Sequence, residues 1–362
     1  MKKLYVTSTK QSDGKTMVTL GLMSAFSQRV KKVGFMKPIG LKELKVADYS
    51  IDQDASLIER VFNLHANIKD MNPVTIDRDS LDYFSEPAKR DEVLEEVDAS
   101  FKRISDGCDV VLIKGMIGAA CGSVYGLPNT LVAQRLGAKV LLVTSGGIGH
   151  PLDEIVLNLE HFKSRNLDVV GVIFNKVYPH EIDKLRSFGE PFLEKHGTKL
   201  LGVIPHSKTL SLPTLRDVVE RVGGKVLSGE QRLQNRVTKI LVGAMSPAYA
   251  SDFFEDGALL ITGGDRMDMI LAALVYSTKN APKSTKFSGL LLTCGVEPPK
   301  DVLEMLKRIE IPVLVSEHDS YNVVSRVTQL QAKLSPADKN RIVSVNDMVR
   351  RHVDVDALFD AI

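Results

Sequence analysis

Apolar positions along the chain follow two periods. Short continuous apolar runs occur at Leu4-Tyr5-Val6, Val33 to Met36, Val110 to Ile113, Val140 to Val143, Val169 to Phe174 and Leu200 to Ile204. Runs of this kind read as strands buried on both faces. Between them apolar residues recur at helical spacing. Met17 to Val30 carries Val18, Leu20, Leu22, Met23, Phe26 and Val30, and 91–104 carries Val93, Leu94, Val97, Phe101 and Ile104. Further helices are predicted over 55–62, 129–136, 152–163 and 181–194. Strands alternating with helices of about 10–15 residues mean βαβ units. The expected class is therefore α/β, a parallel sheet with helices on both faces.

The pattern weakens twice. Residues 41–88 are irregular, with Asn72-Pro73 and Asp82-Tyr83-Phe84, and 206–230 read as a connector. Beyond it the alternation restarts: helix 231–240, strand 258–261, helix 267–276, strand 289–293, helix 300–309, strand 313–316 and helix 321–334, with a short helical tail. This predicts a second, smaller α/β domain, with the division placed at 1–222 and 223–362. The length of 362 residues agrees with two domains at about 150 residues each.

Composition removes several function classes. Forty-seven basic residues nearly cancel 45 acidic ones, and no run of five like charges occurs, so neither a nucleic-acid nor an anionic-membrane surface is expected. The opening Met1-Lys2-Lys3 leads straight into a short strand, which predicts no signal peptide. No apolar run approaches the roughly 18 residues of a membrane span. Cys108, Cys121 and Cys294 are widely spaced, as expected of free thiols in a reducing, cytoplasmic setting. The eight histidines show no paired ligand spacing, so no histidine metal site is expected.

The candidate chemistry centres on Val6 to Thr16. A strand, a polar loop, Gly14-Lys15-Thr16 and a helix are the context a phosphate-binding P-loop requires. Lys15 would meet the terminal phosphates of a nucleotide and the Thr16 hydroxyl would meet Mg²⁺. The loop departs from the usual pattern in having Ser8-Thr9 where a glycine is expected. Lys37, Lys114, Ser145 and Asn175 all fall at or just after strand C-terminal ends, where ligands bind in open α/β sheets. Lys114 is the anomaly, because P-loop proteins place an acidic residue at that strand end to hold the metal. Asp109 lies at the wrong end of the strand, so Lys114 is expected to contact phosphate or an acidic ligand. Lys10, four residues before Gly14, stands where deviant P-loop ATPases carry a lysine that reaches across a dimer. In the second domain, Gly264-Asp265-Arg266 is either a structural turn or a contact for an effector or partner.

Four places in the first 220 residues resemble the dethiobiotin-synthetase-like branch of P-loop proteins: Gly14-Lys15-Thr16, Lys37-Pro38, Asn175-Lys176-Val177 and Leu201-Gly202-Val203-Ile204-Pro205. Within that branch the chain is similar to the N-terminal region of long phosphotransacetylases, through Leu212-Pro213-Thr214, Val226 to Gly229 and Gly243-Ala244-Met245. Leu260 to Ala273 resembles the core of the DRTGG domain. The resemblance implies ATP as ligand, with Gly14, Lys15, Thr16 and Asn175 around it and Asn175 reading adenine. Lys10 and Lys114 join these nucleotide contacts by their placement, and Lys114 departs from the family, which has a Glu there. It implies Lys37 and Lys15 as catalytic groups if the chain is an enzyme, and Thr16 and Asp54 as Mg²⁺ ligands. It also implies a homo-oligomer, expected as a dimer. No counterpart of the acetyl-transferring domain is expected, so phosphate acetyltransferase activity is not assigned. Three function classes remain open at this point: a nucleotide-binding regulatory or sensor protein, an ATP-dependent carboxylate or carbamate ligase, and a dimeric P-loop ATPase switch.

Overall fold

The computed structural model describes all residues of the chain except 42–43, 47–48, 77–83, 85, 279–280, 282–283 and 331. Asp82 and Tyr83, in the stretch read as irregular, lie outside the described residues. The chain forms two compact units, Met1–Ser207 with Leu334–Ile362, and Lys208–Lys333.

The first unit is built on a six-stranded parallel sheet. Its strands run in the order Leu200–Pro205, Val169–Val177, Lys139–Ser145, Lys2–Ser8, Val110–Ile117, Val33–Met36. The continuous apolar runs are explained by burial, since Leu4, Val6, Val110 to Ile113 and Val140 to Val143 are all fully buried. The central strand, Lys2–Ser8, pairs with Val110–Ile117 on one side, with Val6 opposite Lys114, and with Lys139–Ser145 on the other. That register brings Lys114, which lies three residues before the end of its strand and not at the end as expected, beside the loop ending at Thr16. The irregular stretch contributes two short ladders, Ile39–Leu41 with Val74–Ile76 and Leu44–Val46 with Tyr49–Ile51. It also contributes the helix Gln53–Phe62, capped by Asp52, whose side chain accepts from the Asp54 amide.

The tail belongs to this first unit, a correction to the division at 222 and 223. The helix Lys339–His352 lies against the helix Lys15–Ser27, where a Cβ on Gly21 would collide with Val349. Glycine there permits the close approach of the two helices. Val353 bridges Gly202, and the Asp354 amide donates to the Leu201 carbonyl at 2.7 Å. Lys2 Nζ donates to the carbonyls of Phe359 and Ile362, each at 2.7 Å.

The second unit has a five-stranded sheet in the order Lys225–Ser228, Val313–Val315, Gly289–Thr293, Ala258–Gly263, Lys239–Val242. All pairings are parallel except that of Lys225–Ser228 with Val313–Val315. The helix Leu215–Val222 belongs here rather than to the first unit. Its Leu215, Val218 and Val222 pack with Leu259, Ile261, Leu291 and Leu314, and a capping box between Thr214 and Asp217 starts it. The helix expected over 231–240 does not form. A short turn, Glu230–Arg232, leads instead to the edge strand Lys239–Val242. Leu233 and Val237, whose spacing imitated a helix face, are core contacts of an irregular segment. Among the described residues no helix is long and apolar enough to cross a membrane.

Candidate functional site

The loop between the first strand and first helix is held by its own polar side chains. Asp13 is buried at 1% exposure. Its carboxylate accepts from the Thr9 hydroxyl at 2.9 Å, the Lys10 amide at 2.6 Å and the Ser145 hydroxyl at 2.6 Å. Gly14 takes φ 95°, a backbone region open to glycine at little cost, and a Cβ there would strike Asn175. From Gly14 the helix begins, and the first amides of a helix have no acceptor within it. An anion is favoured at such an end by those amides and by the helix dipole.

Asn175 grips this loop from the neighbouring strand end. Its side-chain amide donates to the Asp13 carbonyl at 2.8 Å, and its own oxygen accepts from the Lys176 amide. At 1% exposure the side chain braces the loop, a role beside the adenine contact expected of it. Lys176 adds a second tie, donating from Nζ to the Ser12 carbonyl at 2.7 Å.

Three lysines and two aspartates meet beyond the loop. Lys37 Nζ lies 2.6 Å from Asp52 Oδ2 and 2.7 Å from Asp54 Oδ2. Lys114 Nζ pairs with the same Asp54 oxygen and donates to the Thr16 hydroxyl at 2.6 Å. That hydroxyl in turn donates to Asp54 Oδ1 at 2.9 Å. Asp54 is thus engaged at both oxygens. Burial opposes its charge, yet Lys114 and Lys37 hold its pKa well below the usual carboxylate range. Burial likewise disfavours the Lys37 ammonium, but Asp54 and Asp52 outweigh it and raise its pKa. For Lys114, burial at 3% exposure wins and lowers the pKa, with the nearby Lys37 adding to the shift and Asp54 opposing it.

Lys15 is placed differently. Its ammonium donates to Ser8 Oγ at 2.7 Å and has no carboxylate partner among the described residues. Burial, then Lys114 and Lys37, lower its pKa to about 8. Lys10 donates from its backbone to Asp13 and gives its carbonyl to Ser8 Oγ.

Thr16, Lys37, Asp54 and Lys114, all named from sequence, therefore converge within one contact network, and the Lys15 ammonium lies close enough for Lys114, Lys37 and Asp54 to act on its charge. Sequence reasoning missed two buried carboxylates. Asp52 serves both as helix cap and as partner of Lys37, and Asp13 organises the loop. An acidic residue directly before Gly14 was a visible anomaly in a loop expected to hold anions.

A family model described as the AAA domain matches residues 2–214, well over half of the chain. The chain belongs to this family. A DRTGG domain model matches residues 217–330, so an AAA domain of P-loop type is followed by a DRTGG domain. A phosphate acetyltransferase of Nitratidesulfovibrio vulgaris is 28% identical over 97% of this chain and 50% of its own length. One of Pseudomonas putida is 28% identical over 98% of this chain and 51% of its own length. The chain spans about half the length of these curated relatives. Among solved structures, the MinC:MinD cell division complex of Aquifex aeolicus covers 58% of this chain and 84% of its own at 15% identity and TM-score 0.38. The CBS and DRTGG domains of a Clostridium perfringens pyrophosphatase, complexed with diadenosine tetraphosphate, cover 33% of this chain and 47% of their own at 23% identity and TM-score 0.28.

In the second unit the expected effector contact at Gly264, Asp265 and Arg266 has a structural use. The Arg266 guanidinium donates to the carbonyls of Gly243 and Met245, each at 3.1 Å, and pairs with Asp268. A Cβ on Gly264 would collide with the Val296 carbonyl, so glycine there serves close backbone packing.

Proposed function

We propose that the AAA domain binds the phosphates of ATP at Gly14, Lys15 and Thr16. The protein then acts as a nucleotide-binding regulatory or sensor module of the kind found in the N-terminal part of phosphate acetyltransferases. One observation carries this reading: Lys15 is the lysine of the cluster without a carboxylate partner, and its ammonium is disfavoured by burial and by two other lysines. A phosphate bound at the helix start supplies the missing negative charge. It also meets amides that lack intrahelical acceptors.

The regulatory reading is favoured over ligation because Lys37, the group that would meet a transferred phosphoryl in a ligase, is clamped by Asp52 and Asp54. The test is calorimetric titration with ATP. Lys15→Ala should weaken binding by about 1.5–3 kcal/mol, the range of a hydrogen bond to a charged group, with unfolding of the free protein little changed. Equal affinity in variant and parent would end the P-loop reading. Self-association as a dimer goes with this proposal, and light scattering that shows a monomer at tens of micromolar, with and without ATP, would remove it.

A further inference from the structure

Thr16 and Asp54 are the groups expected to hold Mg²⁺, and the residues present do not fit that ion. The Thr16 oxygen already accepts from Lys114 Nζ at 2.6 Å. Asp54 Oδ1 accepts from Thr16, and Oδ2 is shared by Lys37 and Lys114. Mg²⁺ requires oxygen ligands at about 2.0–2.1 Å in near-octahedral order. An ion on Thr16 Oγ1 and Asp54 would lie where the Lys114 ammonium lies and would compete for the same lone pairs. Two like charges so close repel strongly in a poorly solvated site. The lysine has little freedom to withdraw. It projects from a central strand, in register with Val6, and is 3% exposed.

From this geometry we infer that Lys114 takes the place of the divalent cation, so that the site accepts a polyphosphate nucleotide free of metal. The inference rests on the P-loop reading for the identity of the ligand, while the displacement of the cation rests on Lys114, Thr16 and Asp54 alone. In solution Mg²⁺ then acts on the free nucleotide only. It withdraws ATP as Mg-ATP and opposes binding instead of assisting it. Adding Mg²⁺ should leave the apparent affinity unchanged or lower it.

The test pairs two measurements on the full chain. In the first, ATP is titrated calorimetrically in EDTA and in millimolar Mg²⁺ against the parent, Lys114→Glu and Lys114→Gln. The parent should bind in EDTA at least as tightly as in Mg²⁺. Lys114→Glu should bind more than tenfold tighter in Mg²⁺ than in EDTA. Lys114→Gln keeps a neutral side chain of similar reach and covers misfolding of the glutamate variant. It should lose at least tenfold in EDTA and recover part of that loss in Mg²⁺. Parent binding that is tighter in Mg²⁺ than in EDTA overturns the inference.

The second measurement uses Mn²⁺ alone, read by the loss of its free electron paramagnetic resonance signal. The parent should show no site involving Asp54, whereas Lys114→Glu should show one that Asp54→Asn abolishes. A Mn²⁺ site in the parent that Asp54→Asn removes overturns the inference. If ATP gives no heat under any condition, the nucleotide reading fails, and the Mn²⁺ result still decides whether Lys114 displaces the cation.

Discussion

Each of the two units places a turn containing glycine at the C-terminal end of a parallel strand, yet they treat charge in opposite ways. At Gly263-Gly264-Asp265-Arg266 the guanidinium is matched by Asp268 on the next helix and by two carbonyls, all near the surface. At Gly14-Lys15-Thr16 three ammonium groups crowd two carboxylates in a largely buried cluster, and Lys15 is left over. The same topology thus yields a self-satisfied turn in one unit and an incompletely neutralised cluster in the other. Architecture sets where a site could be. Under the proposed function, the unmatched buried charge is what singles out the first of the two turns as the one that takes an anion.

The largest break in this comparison is removal of Asp54. Asp54→Ala leaves Lys37 with Asp52 alone and Lys114 with no carboxylate, while both remain buried. Losing one partner of a buried ion pair typically costs about 3–5 kcal/mol. Urea unfolding should show a loss of that size, and Asp54→Asn with Lys114→Met should recover a large part of it. The pH dependence has a definite sign. The folded pKa of Asp54 lies well below the usual carboxylate range, so the cluster's stabilisation is complete above about pH 4, the unperturbed carboxylate value. It is lost only as pH falls toward the lowered pKa.

Much of this contrast was legible in the sequence, for physical reasons. Strands buried on both faces must be continuously apolar, so the runs at Val110 to Ile113 and Val140 to Val143 declared themselves. Lys37 follows from the end of its strand and Lys15 from the loop after the first strand, because parallel topology gathers those ends. Lys114 was read at a strand end, whereas its strand runs on to Ile117. Where identity depended on tertiary contact, the reading failed. Leu233, Val237 and Ile240 have helical spacing, but Lys239–Val242 gains more as an edge strand beside Ala258–Gly263. The return of the tail to the first unit depends on Gly21 leaving room for Val349, and no periodicity reports that. Asn175 was visible as a strand-end polar residue, but its reach to the Asp13 carbonyl was not.

Asn175 supplies the next break. Asn175→Ala leaves the buried Asp13 carbonyl without its donor, a loss of about 1–3 kcal/mol for an unsatisfied group. Because that carbonyl lies in the phosphate loop, ATP affinity should fall by about tenfold or more. Adenine reading as its sole role predicts instead that inorganic triphosphate binds parent and variant equally. Titration with triphosphate separates the two.

The charge state of Lys15 sharpens the comparison more gently. Its pKa in the free protein is about 8, and a bound phosphate raises it by favouring the ammonium. Affinity should therefore be flat from pH 7 to just below 8. Above that it should fall by up to tenfold per unit, until the raised pKa of the bound state is reached. Calorimetry in Mg-free buffers across pH 7–10 checks this. Flat affinity to pH 10 would place the anion away from Lys15.

The smallest effect is expected in the second unit. Hydrogen bonds from Arg266 lower the Asp268 pKa, but the pair stands in solvent, with side chains 32% and 45% exposed. Water and salt screen such a pair, and holding two long side chains together has an entropic cost. Asp268→Asn also leaves the guanidinium its two carbonyl partners, Gly243 and Met245. The urea midpoint of Asp268→Asn should coincide with that of the parent, at low and at high salt alike. A clear drop at low salt, absent at high salt, would mean that the Gly263-Gly264 turn depends on charge as the P-loop cluster does. Under that result the contrast between the two turns would shrink to one of degree, and Arg266 would return as a candidate anion contact.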